Sequence, residues 1–186
     1  MQYKLTTPCA AEDLAPLKAG DTVLLSGVVY TARDQAHKRM LEALDKGEKL
    51  PFDLEGSAIY YVGPTPERPG EIIGSAGPTT SGRMDAMSPR LLDLGNKIMI
   101  GKGKRDAAVK EAVVRNGAVY LAALGGAGAL MAQSVKTLEV IAWPDLGCEA
   151  VRRLTVEDMP LTVILDAHGG DLYLSGPEAY REAQVK

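Results

Sequence analysis

Glycine, proline, three hydroxyl residues and an arginine follow one another in GPTTSGR, residues 77–83. The glycine and proline predict an irregular turn, and Arg83 lies four residues beyond Thr79, where a helix is predicted to begin. Backbone N–H groups at a helix N-terminus, hydroxyls and a guanidinium can together bind a carboxylate or phosphate. The alternative is an ordinary cap by Thr80 or Ser81 with the arginine in solvent. Three adjacent hydroxyls exceed what a cap requires, which favours the anion site.

Two further cationic segments lie between a predicted strand and a predicted helix. Arg33 and His37 are four residues apart in TARDQAHKR, and Lys102 lies in GKGKR, residues 101–105. Open α/β sheets bind ligands at the carboxyl ends of their strands, so the three segments would meet at one edge and suit a small dianion. For Arg33 and His37 the residues alone favour another interpretation, an exposed helix start whose neighbouring charges pair locally.

The glycine-rich turns do not match the common nucleotide-binding motifs. A P-loop needs GxxxxGK followed by serine or threonine, whereas Gly103 follows Lys102. Counting GxGxxG from Gly126 places Met131 at the third glycine, so close packing or contact with another chain explains residues 125–128 better. A small nucleotide-binding enzyme is therefore an alternative that only these turns support.

Composition predicts one domain without a metal of its own. The chain has 186 residues and a formal net charge of −3, which argues against a protein that mainly coats nucleic acid. No apolar run reaches transmembrane length, and acidic residues near the start argue against a signal peptide, so we expect a cytoplasmic protein without membrane contact. Cys9 and Cys148 form no CxxC pair, and neither His37 nor His168 has a ligand at helical spacing. We therefore expect no zinc or iron–sulfur site within this chain.

Hydrophobic periodicity predicts alternating strands and helices in a single α/β domain over 1–186, with a core at about 14–175. Thr31 is the predicted N-cap of the first helix, and the tail from Pro177 is predicted to be a marginal helix or frayed. The predicted strands are 22–30, 57–63, 97–101, 118–124, 138–143, 151–156, 161–166 and 172–174. Four helices are predicted: one begins after Thr31, two span about 84–94 and 106–116, and one begins after Gly128.

Taken in order, TARDQAHKR, GPTTSGRMD, IGKGKRD, ALGGAGALMA and LGCEAVRRLTVEDMPLTVILDAHGGDLY resemble the β subunit of iron–sulfur-dependent (class I) fumarate hydratases and L-tartrate dehydratases. In single-chain members this part is the C-terminal domain. The resemblance runs from about Leu14 to Tyr173, and GPTTSGRMD is its most specific piece. It implies a swivelling β/β/α domain that closes over an active site. A separate α subunit would hold a [4Fe–4S] cluster through its own cysteines, and the heteromer would dimerise.

The resemblance also implies roles for individual residues. Thr79 would transfer the proton at C3, with Lys102 as a second catalytic residue and His37 in a supporting position. A threonine hydroxyl is a poor base unless a neighbour takes its proton, so we expect a helper from the partner subunit. The substrate-binding residues implied are Arg33, Thr79, Thr80, Arg83 and Lys102.

The implied reaction is the reversible hydration of a four-carbon dicarboxylate. An open iron of the cluster would act as a Lewis acid on the leaving hydroxyl, while fixed cations stabilise the aci-carboxylate as C3 loses its proton. We expect fumarate and malate as the reactants, with L-tartrate as the alternative, because Ala32 and Lys104 depart from the pattern of many relatives. The alternative from another class is a non-catalytic module that binds a dicarboxylate or another anion without a partner.

Overall fold

Strands and helices alternate along most of the chain in the computed structural model, which describes residues 1–184. The strands are β1 (Gln2–Thr7), β2 (Thr22–Thr31), β3 (Ala58–Tyr60), β4 (Ile98–Gly101), β5 (Val119–Ala122), β6 (Val135–Ala142) and β7 (Val151–Leu165). The α-helices are α1 (Ala11–Leu14), α2 (Asp34–Asp45), α3 (Ser88–Asp93), α4 (Ala107–Arg115), α5 (Gly128–Gln133) and α6 (Leu172–Gln184). Two 3₁₀ helices span Ser81–Met84 and Pro144–Glu149.

The strands form one sheet in the order β1-β2-β3-β4-β5-β7-β6, and an additional pairing of β2 with β7 closes it. Strands β1 to β5 pair in parallel, whereas β7 is antiparallel to β2, β5 and β6. Residues 152–162 of β7 pair with β2 and residues 162–165 pair with β5. The closed ring is therefore β2-β3-β4-β5-β7, and the parallel strands β2 to β5 present their carboxyl ends at one edge.

Two hydrophobic clusters lie on the two faces of the sheet, because successive side chains of a strand point in opposite directions. Tyr60 of β3 and Ile100 of β4 belong to the first cluster, whereas Met99 and Tyr120 belong to the second. The second cluster also contains the inward faces of α2, α3 and α4. Burial on both faces explains why β3, β4 and β5 are almost continuously apolar in sequence.

The mixed α/β class predicted from sequence is confirmed, but the separation of 151–156 from 161–166 is wrong. A single strand runs through both, with a bulge in which Glu157 and Asp158 lie opposite Ser26. Asp158 adopts a positive φ of 45° and its N–H donates to the Ser26 hydroxyl at 3.0 Å. The bulge allows the pairing to continue through Pro160.

Three other predictions differ from the structure. Residues 172–174 begin helix α6, which includes Pro177 and continues to Gln184, whereas the last two residues of the predicted tail lie outside the described residues. Thr31 belongs to β2 and does not cap α2, because its hydroxyl donates to Ala150 O at 3.2 Å and accepts from the Arg152 N–H at 3.0 Å. The predicted helix 84–94 is divided into the Ser81–Met84 3₁₀ helix and α3.

Strand β1 was not predicted from sequence. It pairs in register with β2 from Gln2 opposite Thr22 to Thr7 opposite Gly27. Most of its residues are exposed or half-buried, so its hydrophobic pattern is weak. Within the described part of the chain, no helix has both the length and the apolar character needed to cross a membrane.

Candidate functional site

The candidate residues lie beyond the carboxyl ends of β2, β3 and β4. Arg33 follows β2 by two residues, and Lys102 follows β4 directly. Thr79 is attached to the segment after β3, because its N–H donates to Tyr61 O at 2.8 Å. Parallel strands share their carboxyl edge, so the fold brings the three cationic segments to the same edge.

Backbone hydrogen bonds join the hydroxyl segment to the Lys102 turn. Thr80 and Lys102 form a parallel bridge. The Ser81 N–H donates to Lys102 O at 2.8 Å, and the Lys102 N–H donates to the Ser81 hydroxyl at 3.0 Å. The side chains of Thr80 and Lys102 are exposed, and Thr79 is half-buried. Two candidate residues are therefore held side by side with their side chains accessible.

The third hydroxyl of the segment has a structural role. Ser81 is fully buried and its hydroxyl also accepts from Tyr120 OH at 2.9 Å. Thr80 makes no capping hydrogen bond to the four-residue Ser81–Met84 helix. Such a short helix does not provide the anion-binding N-terminus expected from sequence, so any anion site at this edge depends on side chains.

Arg105 was not recognised from sequence, although it fixes the two segments relative to each other. Its Nε lies 2.5 Å from Asp85 Oδ1, and its Nη2 donates to the Ser88 hydroxyl at 2.9 Å. The guanidinium carbon lies 5.4 Å from the ring centroid of Tyr61 and 5.0 Å from that of Tyr120. The sequence does contain a signal for this ion pair, since GRMD ends in Asp85 and GKGKR ends in Arg105. This ion pair, in which Arg105 is fully buried and Asp85 nearly so, connects the Arg83 segment to the Lys102 segment.

Arg33 is removed from most of the solvent, so the exposed helix start favoured from sequence is wrong. Its side chain is 18% exposed, and its Nη2 lies 3.4 Å from Glu149 Oε1. A Cβ at position 63 would stand 2.6 Å from Arg33 Nη1, so the guanidinium lies directly against Gly63. Arg33 Nε is buried and has no hydrogen-bond partner among residues 1–184. A buried guanidinium N–H with no acceptor is suited to an anionic ligand.

His37 lies behind Arg33 rather than on the surface. Its ring is fully buried, its Nδ1 lies 3.0 Å from Arg33 O, and its edge contacts the Tyr61 ring with centroids 5.2 Å apart. Burial lowers the pKa of His37 to about 4, so the imidazole is neutral at pH 7. In this position His37 can hold the backbone of Arg33 in place through the contact of its Nδ1 with Arg33 O.

Arg83 is half-exposed and forms an ion pair with Asp34 Oδ2. The other oxygen, Asp34 Oδ1, is buried without a hydrogen-bond partner in the described chain. Among the side chains that the structure describes, those of residues 1–182, the buried atoms without a partner are Arg33 Nε, Asp34 Oδ1 and His37 Nε2, all at the start of α2. Buried polar atoms normally have hydrogen-bond partners, so these three atoms indicate that a ligand could bind at the start of α2.

Cys9 is not suited to bind an iron–sulfur cluster. Burial raises the pKa of the Cys9 thiol to about 11, and its Sγ donates to Thr6 O at 3.4 Å, whereas metal ligation needs the thiolate. Cys148 is exposed. No group of three or more His, Cys, Asp or Glu side chains in the described residues is arranged to hold a metal ion.

Two cavities of the described residues lie away from the candidate residues. One cavity of about 550 Å³ is lined by residues 65–75 and part of α5, and another of about 410 Å³ is lined by the Pro144–Glu149 helix and its neighbours. Arg33, Thr79, Arg83 and Lys102 line neither of these two cavities. Neither of these two cavities is therefore the place where the candidate residues would bind a ligand.

Comparison with known proteins gives a family match over nearly the whole chain. The model described as Fumarase C-terminus matches residues 1–176. The putative L(+)-tartrate dehydratase subunit beta of Methanocaldococcus jannaschii is 42% identical over 168 residues, which cover 87% of this chain and 86% of that protein. The L(+)-tartrate dehydratase subunit beta of Escherichia coli is 33% identical over 187 residues, covering 98% and 92%.

Fumarate hydratases match as well, but over a part of their length. Fumarate hydratase 2 of Leishmania major is 39% identical over 168 residues, which cover 87% of this chain and 29% of that protein. The chain thus spans under a third of the length of that fumarate hydratase.

Proposed function

We propose, from the premise that this chain belongs to the fumarase C-terminus family, that it is the β subunit of a hydro-lyase acting on a four-carbon dicarboxylate. The proposed reaction is the reversible hydration of fumarate to malate. The observation that carries this proposal is the buried Arg33 Nε–H, which has no partner among the described residues, at the edge that also bears Arg83 and Lys102. Three cations at one edge suit a substrate with two carboxylates.

L-tartrate dehydration is the second candidate. Two relatives that this chain covers over most of their length are named as tartrate dehydratase β subunits, one of them as putative. Fumarate and tartrate share two carboxylates and differ in hydroxyl groups, so the same cations would serve either substrate.

Each cation has a separate task in substrate binding. Arg33 would bind one carboxylate through its Nε–H, because that donor is already positioned and lacks an acceptor within the described residues. Arg83, half-exposed and paired with Asp34, would bind the second carboxylate. Lys102 is exposed and would add a point charge beside Thr80. Fixed cations also stabilise the aci-carboxylate that forms when C3 loses its proton.

Thr79 is the proposed proton-transfer residue, and Thr80 would line the site beside it. The backbone of Thr79 is fixed through Tyr61 O, which supports a defined hydroxyl position. A threonine hydroxyl needs a neighbouring base to accept its proton. The hydrogen bonds of the described residues include none to the Thr79 hydroxyl, so the helper is proposed to come from the partner.

The proposed partner is a cluster-bearing α subunit. A [4Fe–4S] cluster is held by several cysteines, whereas this sequence has two, Cys9 and Cys148, without a CxxC pair, which is why the cluster is assigned to the partner. The exposed side chains of Thr80, Arg83 and Lys102 give the α subunit a surface to cover, and a swivelling movement of this domain would close the site. A cytoplasmic heteromer that dimerises completes the proposal.

The test is anaerobic reconstitution with the cluster-bearing partner, followed by fumarate absorbance. Thr79→Val should lower kcat by about 100-fold or more, because proton transfer is lost, and should change KM little. Thr6→Val, at an exposed position of β1, is the matched control and should behave as wild type. Wild-type activity in Thr79→Val would contradict the catalytic assignment. Binding of succinate by this chain without its partner, together with no turnover of fumarate, malate or tartrate in the complex, would establish a non-catalytic module instead.

A further inference from the structure

Glu149 contacts both Arg33 and the first turn of α2. Its Oε2 accepts the Gln35 N–H at 2.9 Å, and its Oε1 lies 3.4 Å from Arg33 Nη2. The N-cap residue of α2 is Arg33, whose side chain makes no capping hydrogen bond. Glu149 therefore satisfies one of the N–H groups that an α-helix leaves free at its start.

The 3₁₀ helix that carries Glu149 is fastened to the rest of the fold. Arg39 forms two hydrogen bonds to Asp145, at 3.0 and 2.6 Å. Arg152 donates to the carbonyl oxygens of Gly147, Cys148 and Ala150 at 2.9 to 3.0 Å. The Glu149 carboxylate is consequently held in place from its own backbone as well as by the Gln35 N–H.

The ion pair is shielded from solvent and leaves one donor of the arginine available. The Arg33 and Glu149 side chains are 18% and 17% exposed, so water screens their attraction less than at an open surface. Gly63 lies against Arg33 Nη1 while Glu149 attracts Nη2, and Nε has no partner within residues 1–184. These contacts restrict the guanidinium without using its Nε–H.

We propose that Glu149 is a positioning residue for Arg33, and that its negative charge holds the guanidinium in the orientation that binds a substrate carboxylate. This rests on the proposed function, in which Arg33 binds the dicarboxylate. Displacement of Glu149 by the substrate is disfavoured, because the Gln35 N–H would lose its acceptor. The charge thus increases affinity for the dianion by ordering Arg33 in advance.

Glu149→Gln separates this role from a structural one. The amide oxygen can still accept the Gln35 N–H, so the helix start is preserved while the charge opposite Arg33 is removed. In the reconstituted complex we expect KM for the dicarboxylate to rise by about tenfold, because the guanidinium is no longer fixed, with little change in kcat. Glu157→Gln is the matched control, since Glu157 is exposed and pairs with Lys136 at 3.5 Å.

A second readout needs neither substrate nor partner. The ¹H–¹⁵N heteronuclear NOE of the Arg33 Nε–H, assigned by the loss of its signal in Arg33→Lys, reports the mobility of that side chain. We expect a high value in wild type and a clear decrease in Glu149→Gln. A decrease in the NOE together with a higher KM supports the proposal, whereas wild-type values of either quantity in Glu149→Gln would overturn it.

Arg33→Ala distinguishes failure of this proposal from failure of the proposed function. If Arg33→Ala raises KM and Glu149→Gln does not, Arg33 binds the substrate and only the positioning role is wrong. If Arg33→Ala leaves KM unchanged, the carboxylate site itself is wrong and the positioning role falls with it.

Discussion

Arg105 and Arg33 are both removed from solvent near the same edge, and their surroundings differ. Arg105 pairs with Asp85, donates to Ser88 and lies between two tyrosine rings. Arg33 pairs with Glu149 at a longer distance, and its Nε has no partner in the described part of the chain.

This difference separates structure from function at the edge. The Arg105 network is complete and fixes the Thr79 and Lys102 segments, so its contribution is to stability and geometry. The start of α2 contains buried polar atoms that lack partners among residues 1–184, and a site of that kind has binding capacity left for a ligand. Changes at Arg105 should affect folding above all, whereas changes at Arg33 should affect binding above all.

The largest expected effect on stability comes from Arg105→Met. The substitution leaves the Asp85 charge without its arginine in a buried position, which should lower the free energy of unfolding by about 3 to 5 kcal/mol. Urea denaturation monitored by circular dichroism measures this change in the free energy of unfolding. Arg115→Met is the matched control, because Arg115 pairs with Asp93 at the surface and should matter little. Equal losses in the two variants would show that the buried Arg105 network adds no more stability than a surface ion pair.

A smaller effect concerns the pH dependence of stability through His37. Its pKa is lowered by burial to about 4 from an ordinary value of 6.5, so the unfolded chain binds more protons between these values. The resulting stability is fully present above pH 6.5 and is lost as the pH falls towards 4, by roughly 3 kcal/mol.

His37→Phe should lack this contribution while retaining an aromatic contact with Tyr61. Unfolding free energies measured from pH 7 to pH 4 should therefore fall less steeply for His37→Phe than for wild type. His168→Gln, at an exposed turn, controls for the loss of a histidine. Parallel pH profiles for wild type and His37→Phe would show that the buried imidazole does not titrate as described.

The smallest expected effect is that of Lys102→Met on substrate binding. The exposed ammonium acts on the dianion through solvent, so its loss should cost about 1 kcal/mol, or roughly fivefold in KM. The effect should shrink as ionic strength rises, because salt screens exposed charges. Lys104→Met, two residues away and also exposed, is the control. An equal rise in KM for both variants would indicate a general electrostatic field rather than a specific residue.

The alternation of strands and helices could be predicted from sequence because β3, β4 and β5 are short apolar runs between helices with clear hydrophobic faces. The continuity of β7 could not, because Asp158 and Pro160 are typical of a strand end and the bulge depends on pairing with β2. The helical start at Leu172 was missed because LYL is equally typical of a strand.

The candidate residues could be placed at one edge from their positions after predicted strands, and the family resemblance suggested their roles. Their partners could not be predicted. Glu149 contacts Gln35 across 114 residues of sequence, and the burial of Arg105 depends on two tyrosines from different strands or loops. Such contacts arise from the closed sheet and carry no local sequence pattern.

The most direct test of the central claim is the affinity of the reconstituted complex for succinate, a non-reacting dicarboxylate, measured by calorimetry for wild type and Arg33→Ala. Loss of a guanidinium that is largely shielded from solvent should raise the dissociation constant for the carboxylate by about 30-fold or more, corresponding to at least about 2 kcal/mol. The free energy of unfolding of Arg33→Ala should meanwhile stay closer to wild type than that of Arg105→Met. Wild-type affinity in Arg33→Ala would contradict the assignment of this edge as the dicarboxylate site.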